Sequence, residues 1–272
     1  MNNCVTLENV TVNYGALSQF SLTVPRGEVT GIIGENGAGK STVLKLLAGI
    51  LPYGGSATVN GAHVKEMTGA QRQKVGYLGG ERCLPESLTA TQFGNVLSGM
   101  FANWDKKQFA DMISRASLPC DKPIREFSTG MKTKLALAAA MSHNADLLLL
   151  DEPTNGLDAA ARDEVLDTIY GFMQDEKHTV IITSHITSDL EKLCDRIALI
   201  HEGKLLVSGE KDELLDSYVI VRGYKGDNAV RTLERAYGCD ALIRRECLPC
   251  GTDAERVGLD ELLMFFIKGD MS

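Results

Sequence analysis

The stretch Gly34-Glu35-Asn36-Gly37-Ala38-Gly39-Lys40-Ser41 constrains this chain more than any other. It reads G-x-x-x-x-G-K-S, and its surroundings suit it. Residues 28–33 ahead of it form a short β-branched run with the texture of a buried strand. Behind it, Thr42-Val43-Leu44-Lys45-Leu46-Leu47-Ala48 repeats apolar residues at helical spacing. A strand, a glycine-rich loop and a helix, in that order, predict a phosphate-binding turn in an α/β fold. The glycines let successive backbone N–H groups turn inward on a phosphate chain, and the helix N-terminus adds partial positive charge. Lys40 then reaches the terminal phosphates, and the Ser41 hydroxyl is a ligand for Mg²⁺. The loop is expected to bind a nucleoside triphosphate.

Charge and length narrow the partners. The chain has 272 residues and a formal net charge of −8, which argues against a broad basic face for nucleic acid. Residues 1–4 lack a basic-then-apolar leader pattern, and no run approaches the roughly 18 apolar residues of a membrane span. Any membrane role is therefore expected to go through a partner. Seven cysteines, an odd number scattered over a long chain, fit reduced thiols in the cytosol better than a disulfide framework.

From the N-terminus, residues 5–12 alternate apolar and polar side chains, and residues 20–24 resume the strand texture. Tyr14 stands between them. Its ring is placed either to stack on a base or to end a strand in the ordinary way. Short strands are expected at 56–59 and 75–78, with a turn at Asn60-Gly61. Over about 84–143 the texture becomes helical, with segments at 90–100 and 106–117 and the only tryptophan, Trp104, between them. Ser128 is placed to cap a further helix.

Four leucines, Leu147 to Leu150, then run into Asp151-Glu152. This predicts a central parallel strand, buried on both faces, with acids at its ligand-binding C-terminal end. Asp151 can hold Mg²⁺ with Ser41, and Glu152 can polarise a water for in-line attack on the γ-phosphate. His185 follows a β-branched strand at 179–183 and is expected at the same sheet edge. His63, His143, His178 and His201 have no such context.

Residues 34–41, Phe127-Ser128-Thr129-Gly130-Met131-Lys132, residues 147–152 with Pro153, Asn155-Gly156-Leu157-Asp158 and His185 resemble, in order and spacing, the ATPase subunit of an ATP-binding cassette transporter. The resemblance covers about residues 1–217. It implies a P-loop NTPase core with an N-terminal antiparallel β subdomain and a small helical subdomain. It also implies an Mg²⁺-dependent ATPase that works as a homodimer or heterodimer, each ATP sandwiched between one phosphate loop and the partner's signature motif. Such a subunit drives a transmembrane permease from the cytoplasmic face of the membrane. By that likeness Gly34, Asn36, Gly37, Ala38, Gly39, Lys40, Ser41 and Thr42 hold the nucleotide and Tyr14 stacks on adenine. Ser128 and Gly130 contact ATP across the dimer, and Asp158 signals between the sites. Glu152 is similar to the family's general base and His185 to its γ-phosphate sensor.

The chain departs from the family twice. The usual Leu-Ser-Gly-Gly-Gln signature is Phe127-Ser128-Thr129-Gly130-Met131 here, a form similar to the drug- and peptide-exporter branch that includes bacitracin-resistance ATPases. After residues 75–78, where the family places a glutamine, the chain has Gly79-Gly80-Glu81. Glu81 either replaces that glutamine or the contact is missing. The rival reading is a regulatory or nucleic-acid-acting ATPase with no permease, which the acidic balance disfavours. The interval from Lys40 to Ser128 has room for a compact helical subdomain but not for the long coiled coils of chromosome-maintenance relatives. Residues 218–272 are expected to form a small α/β extension, with a strand at 218–221, a helix over 228–237 and an amphipathic helix over 259–267. Cys247-Leu248-Pro249-Cys250 has the spacing of half a zinc site, but no second pair or partnering histidine follows.

Overall fold

The computed structural model describes residues 3–12, 16–79, 84–224, 226–236 and 238–270. β1 (Asn3–Val12) and β2 (Leu17–Pro25) pair antiparallel, Val5 opposite Val24 and Leu7 opposite Leu22. Their alternation turns Val5, Leu7, Phe20 and Leu22 inward together. β3 (Val29–Ile33) enters a second sheet and leads through the phosphate loop into α1 (Lys40–Leu47). β4 (Gly54–Val59) returns antiparallel to β1, and β5 (Ala62–His63) completes a first sheet in the order β2-β1-β4-β5. Asn60 and Gly61 both take positive φ between β4 and β5, as a tight hairpin turn requires.

After α2 (Gly69–Arg72) and β6 (Val75–Leu78) come the helical segments α3 (Ala90–Met100), α4 (Lys106–Arg115) and α5 (Thr129–Met141). Each starts on a side-chain cap. Thr89, Asp105 and Ser128 accept from the backbone N–H of Gln92, Gln108 and Met131, satisfying donors that the first helical turn leaves unpaired. Phe109, Ile113, Ile124, Phe127 and Leu135 form the core of this subdomain.

β7 (Leu147–Asp151), α6 (Ala159–Phe172), β8 (Thr179–Ser184), α7 (Thr187–Leu193), β9 (Arg196–His201), β10 (Lys204–Glu210) and α8 (Lys211–Asp216) complete the second sheet and its cover. Its order is β10-β9-β3-β8-β7-β6, parallel from β9 to β6, with β10 antiparallel at the edge. The leucine run divides by parity. Leu147 and Leu149 face α1 and the first sheet, while Leu148 and Leu150 face α5 and α6. Burial of each stabilises the strand by about 1.5–3 kcal/mol, so β7 holds the two layers together.

The third sheet is C-terminal: β11 (Tyr218–Val221), β12 (Arg231–Arg235), β13 (Gly238–Arg244) and β14 (Glu255–Arg256), in the order β12-β13-β11-β14, backed by α9 (Leu259–Lys268). Here the structure corrects the expected helix over 228–237. Residues 231–235 are a strand paired with β13, Thr232 opposite Ala241 and Leu233 opposite Asp240. The segment is too short to sustain a helix alone, and cross-strand pairing with β13, whose residues 240–243 are buried, overrides its local helical propensity. Leu259, Leu262 and Phe265 of α9 enter the same core as Leu190, Leu193 and Leu148. Among the described residues, no helix is long and apolar enough to cross a membrane.

Candidate active site

The path of the phosphate loop is set by close backbone approach. A Cβ at Gly34 would lie 2.2 Å from the Ile200 carbonyl oxygen, so only glycine allows the loop to leave β3 beside β9. Gly39, at the N-terminus of α1, holds φ 109° and would meet the Ala16 carbonyl at 2.5 Å. Between these positions lie Asn36, Gly37 and Ala38, and Thr42 belongs to the first turn of α1. Lys40 is buried and turns back beneath the loop. Its Nζ donates to the carbonyls of Gly34 at 2.8 Å and Glu35 at 3.1 Å. Those bonds fix the ammonium beneath the loop.

The parallel strands bring the acids to the same place. Ser41 Oγ donates to Asp151 Oδ1 at 2.9 Å, and Thr183 Oγ1 donates to the same oxygen at 2.7 Å. A hydroxyl and a carboxylate oxygen held together are hard donors of the kind Mg²⁺ prefers, so Ser41 and Asp151 fit that ion. Glu152 follows with φ 48°, in the left-handed region, at a cost of about 1–2 kcal/mol. Its N–H donates to the Thr183 carbonyl at 3.1 Å and to Thr183 Oγ1 at 3.0 Å, which offsets the strain. This turn directs the Glu152 carboxylate between Lys40 and His185. One oxygen lies 3.6 Å from Lys40 Nζ, and the other is hydrogen-bonded to His185 Nδ1 at the end of β8. Beside them Tyr77 of β6 has its hydroxyl pushed up to about 12, first by burial and then by the Asp151 charge.

The structure thus brings together Gly34, Lys40, Ser41, Asp151, Glu152 and His185. Ser128, Gly130 and Asp158 form a second group. Ser128 caps α5, Asp158 caps α6 by accepting from Ala161 N–H at 2.8 Å, and a Cβ at Gly130 would meet Ala161 at 3.4 Å. This group packs on α6 and not on the phosphate loop. Tyr14 and Glu81 lie outside the described residues. Thr183 is the residue that the motifs did not single out. Its signal is a hydroxyl closing the apolar run Val180-Ile181-Ile182, directly before Ser184-His185.

A groove of about 750 Å³ opens from Ser41 and Asp151, passes Tyr77 and reaches Phe93, Leu97 and Phe101 of the helical subdomain. Ile50, Val96 and Met100 are at least half exposed. Trp104 is turned inward, its ring 5.1 Å from Phe109 and 6.3 Å from Phe101, so it belongs to the subdomain core and not to an exposed docking face.

The geometry agrees with the comparisons. Residues 17–155 match the family model described as ABC transporter. An uncharacterized ABC transporter ATP-binding protein of Nostoc sp. is 37% identical over 227 residues, covering 78% of this chain and 65% of the relative, just under two thirds of its length. The linearmycin resistance ATP-binding protein LnrL of Bacillus subtilis is 34% identical over 216 residues, covering 76% of this chain and 69% of that protein. Among solved structures, cbiO1 from Clostridium perfringens superposes with a TM-score of 0.67 at 26% identity, covering 79% of this chain and 91% of that one. The chain belongs to the ABC transporter family, as an ATP-binding subunit of the kind that hydrolyses ATP.

Proposed function

We propose that this subunit hydrolyses Mg-ATP to drive a separately encoded membrane permease that exports drugs or antimicrobial peptides. The observation that carries the chemistry is the placement of Glu152, held by Thr183 and flanked by Lys40 and His185. A carboxylate fixed at the end of a central strand, one residue from the Mg²⁺-compatible pair, is suited to take a proton from an attacking water. Lys40 and the loop amides hold the phosphates, and Thr42 in the first turn of α1 lies with them. His185 contacts the γ-phosphate and steadies Glu152. Ser41 and Asp151 would hold Mg²⁺, which when bound would supply charge neutralisation of the phosphates. Tyr14 stacks on adenine, as the family resemblance implies.

In the same reading two cassettes pair head to tail. Ser128 and Gly130 then complete the partner's ATP site through the N-terminus of α5, and Asp158 links the two sites. Residues 1–217 act as the cassette and 218–272 as an extension. The permease docks at the groove between β6 and α3, lined by Tyr77, Phe93, Leu97 and Phe101, and α3 adds the exposed Val96 and Met100 as apolar surface that a partner helix can cover. That places the subunit at the cytoplasmic face of the membrane. Export of antimicrobial compounds draws support from LnrL, named for linearmycin resistance, and a permease from cbiO1, described as part of an ABC transporter complex.

The deciding experiment is Glu152→Gln. Turnover is expected to fall by roughly 10²–10⁴-fold, the usual contribution of a general base, while ATP affinity stays within about twofold because the phosphate contacts remain. Wild-type turnover in that variant would refute the assignment.

A further inference from the structure

The C-terminal sheet and α9 lie far along the chain from the phosphate loop, yet they grip the helix that follows His185. α7 begins at Thr187, two residues after His185, and Ile186 ahead of it gives no side-chain cap. The intervening turn is locked. Ile186 N–H donates to Ser184 Oγ at 2.9 Å, and Ser184 Oγ donates back to the Ile186 carbonyl at 3.3 Å. Displacement of the start of α7 is therefore passed directly to His185.

Two reciprocal bonds set where α7 begins. Thr187 Oγ1, on a buried residue, donates to Asp260 Oδ1 in the first turn of α9. In return the backbone N–H of Leu259, the first residue of α9, donates to Glu191 Oε1 of α7 at 3.1 Å, where a carboxylate also complements the positive end of the α9 dipole. Leu190 and Leu193 of α7 share a core with Leu259, Leu262 and Phe265. On its other side α7 is tied to the loop after Glu152, because Thr154 Oγ1 donates to the buried Asp189 at 2.7 Å. The same short helix is thus braced against the Glu152 loop and against the C-terminal unit.

We propose that Asp260 is a positioning residue for His185, acting through Thr187, and that the C-terminal unit thereby governs how often the His185–Glu152 pair reaches its productive arrangement. The inference rests on the catalytic reading of Glu152 and His185 given above. Asp260 touches no part of the nucleotide site, so its loss affects turnover and not ATP capture.

The test is steady-state ATPase kinetics on the full chain, with nucleotide affinity and thermal unfolding measured on the same preparations. Asp260→Ala and Thr187→Val are each expected to lower kcat about tenfold with KM for ATP within about twofold. The double variant should lose no more than either single one, since both remove one bond. Asp260→Asn, which keeps an acceptor oxygen for the Thr187 hydroxyl, should restore kcat to within about twofold of wild type. A purely structural role would lower the unfolding midpoint and leave kcat per nucleotide-binding site unchanged, and that outcome overturns the proposal. So would independent, multiplicative losses in the double variant, or an Asn variant as slow as the Ala variant. Should Asp260→Ala fail to fold, the near-isosteric Thr187→Val decides alone by the same kcat criterion. If Glu152→Gln retains turnover, the catalytic reading falls. If Glu152→Gln is inactive while Asp260→Ala and Thr187→Val turn over like wild type, this inference alone falls.

Discussion

Two hydroxyl protons converge on one oxygen of Asp151, from Ser41 on α1 and from Thr183 on β8, so three elements fix a single carboxylate. Lys40 is fixed in the same manner by the carbonyls of Gly34 and Glu35. An ammonium already held in place contributes its full charge to phosphate binding without first losing side-chain entropy. Lys40→Ala is therefore expected to weaken ATP binding by about 1.5–3 kcal/mol, the range for a charged hydrogen bond, or roughly ten- to a hundredfold in Kd. Titration with a fluorescent nucleotide measures this, and an unchanged Kd would remove Lys40 from the phosphate site. His143 supports a prediction in pH. Its ring stacks on Phe101 at 4.3 Å and its Nδ1 meets the Gln73 carbonyl at 3.0 Å. Burial pushes its pKa below the ordinary value, and this outweighs the opposing effect of the Gln73 carbonyl. Once pH falls below about 6.5, the unfolded chain takes up a proton that the folded chain resists. Stability is then lost as pH falls and levels off below the folded pKa. Denaturant midpoints between pH 7.5 and 5.5 should fall less steeply in His143→Gln than in wild type, and parallel slopes would refute this.

At the scale of the element, legibility followed how locally each segment is determined. β7 could be read from Leu147 to Leu150 because a parallel strand buried on both faces needs an unbroken apolar run. α5 could be placed through Ser128, whose side chain caps its own helix. β12 could not, since Arg231 to Arg235 becomes a strand only through pairing with β13, a non-local partner. The role of Thr183 was hidden for the same reason: its bonds to Asp151 and Glu152 span 32 and 31 residues. The α3–α4 corner shows the ambiguity of aromatic residues. A tryptophan between two helical segments fits a surface as well as a core, but the contacts of Trp104 with Phe101 and Phe109 place it inside the corner. Trp104→Ala should therefore lower stability by about 2–3 kcal/mol, below the range for a fully buried aromatic because the indole keeps some exposure. ATP turnover per folded molecule should persist, as the corner touches neither Lys40 nor Glu152. Chemical denaturation checks the first part and active-site-normalised kinetics the second, and an unshifted midpoint would return Trp104 to the surface.

In the proposed reading the molecule carries two functional surfaces, built on different elements of the chain. The phosphate loop, Asp151 and Glu152 gather at the C-terminal edge of the second sheet, whereas Ser128, exposed at the start of α5, and Asp158, exposed at the start of α6, lie together elsewhere. α5 is 13 residues long and carries no acidic residue in its first turn, so the positive end of its dipole is left uncompensated and suited to an anion. A second chain turned head to tail would supply that anion as bound ATP. Each chain carries a net charge of −8, so two copies would repel at long range, and such a pair would need its bridging nucleotide and moderate salt to close. Glu152→Gln protein, which binds ATP without consuming it, is thus expected to sediment as a dimer at saturating Mg-ATP and as a monomer without nucleotide. Its dimer should weaken as ionic strength is lowered, because the mutual repulsion of the two acidic chains is then less screened. Gly130→Asp, which sets a carboxylate against the partner's phosphates, should keep the Glu152→Gln background monomeric while leaving ATP binding to each chain intact. A Glu152→Gln protein that stays monomeric at saturating ATP and high concentration would count against the homodimer and point to a different cassette as the partner for Ser128, or to a requirement for the permease.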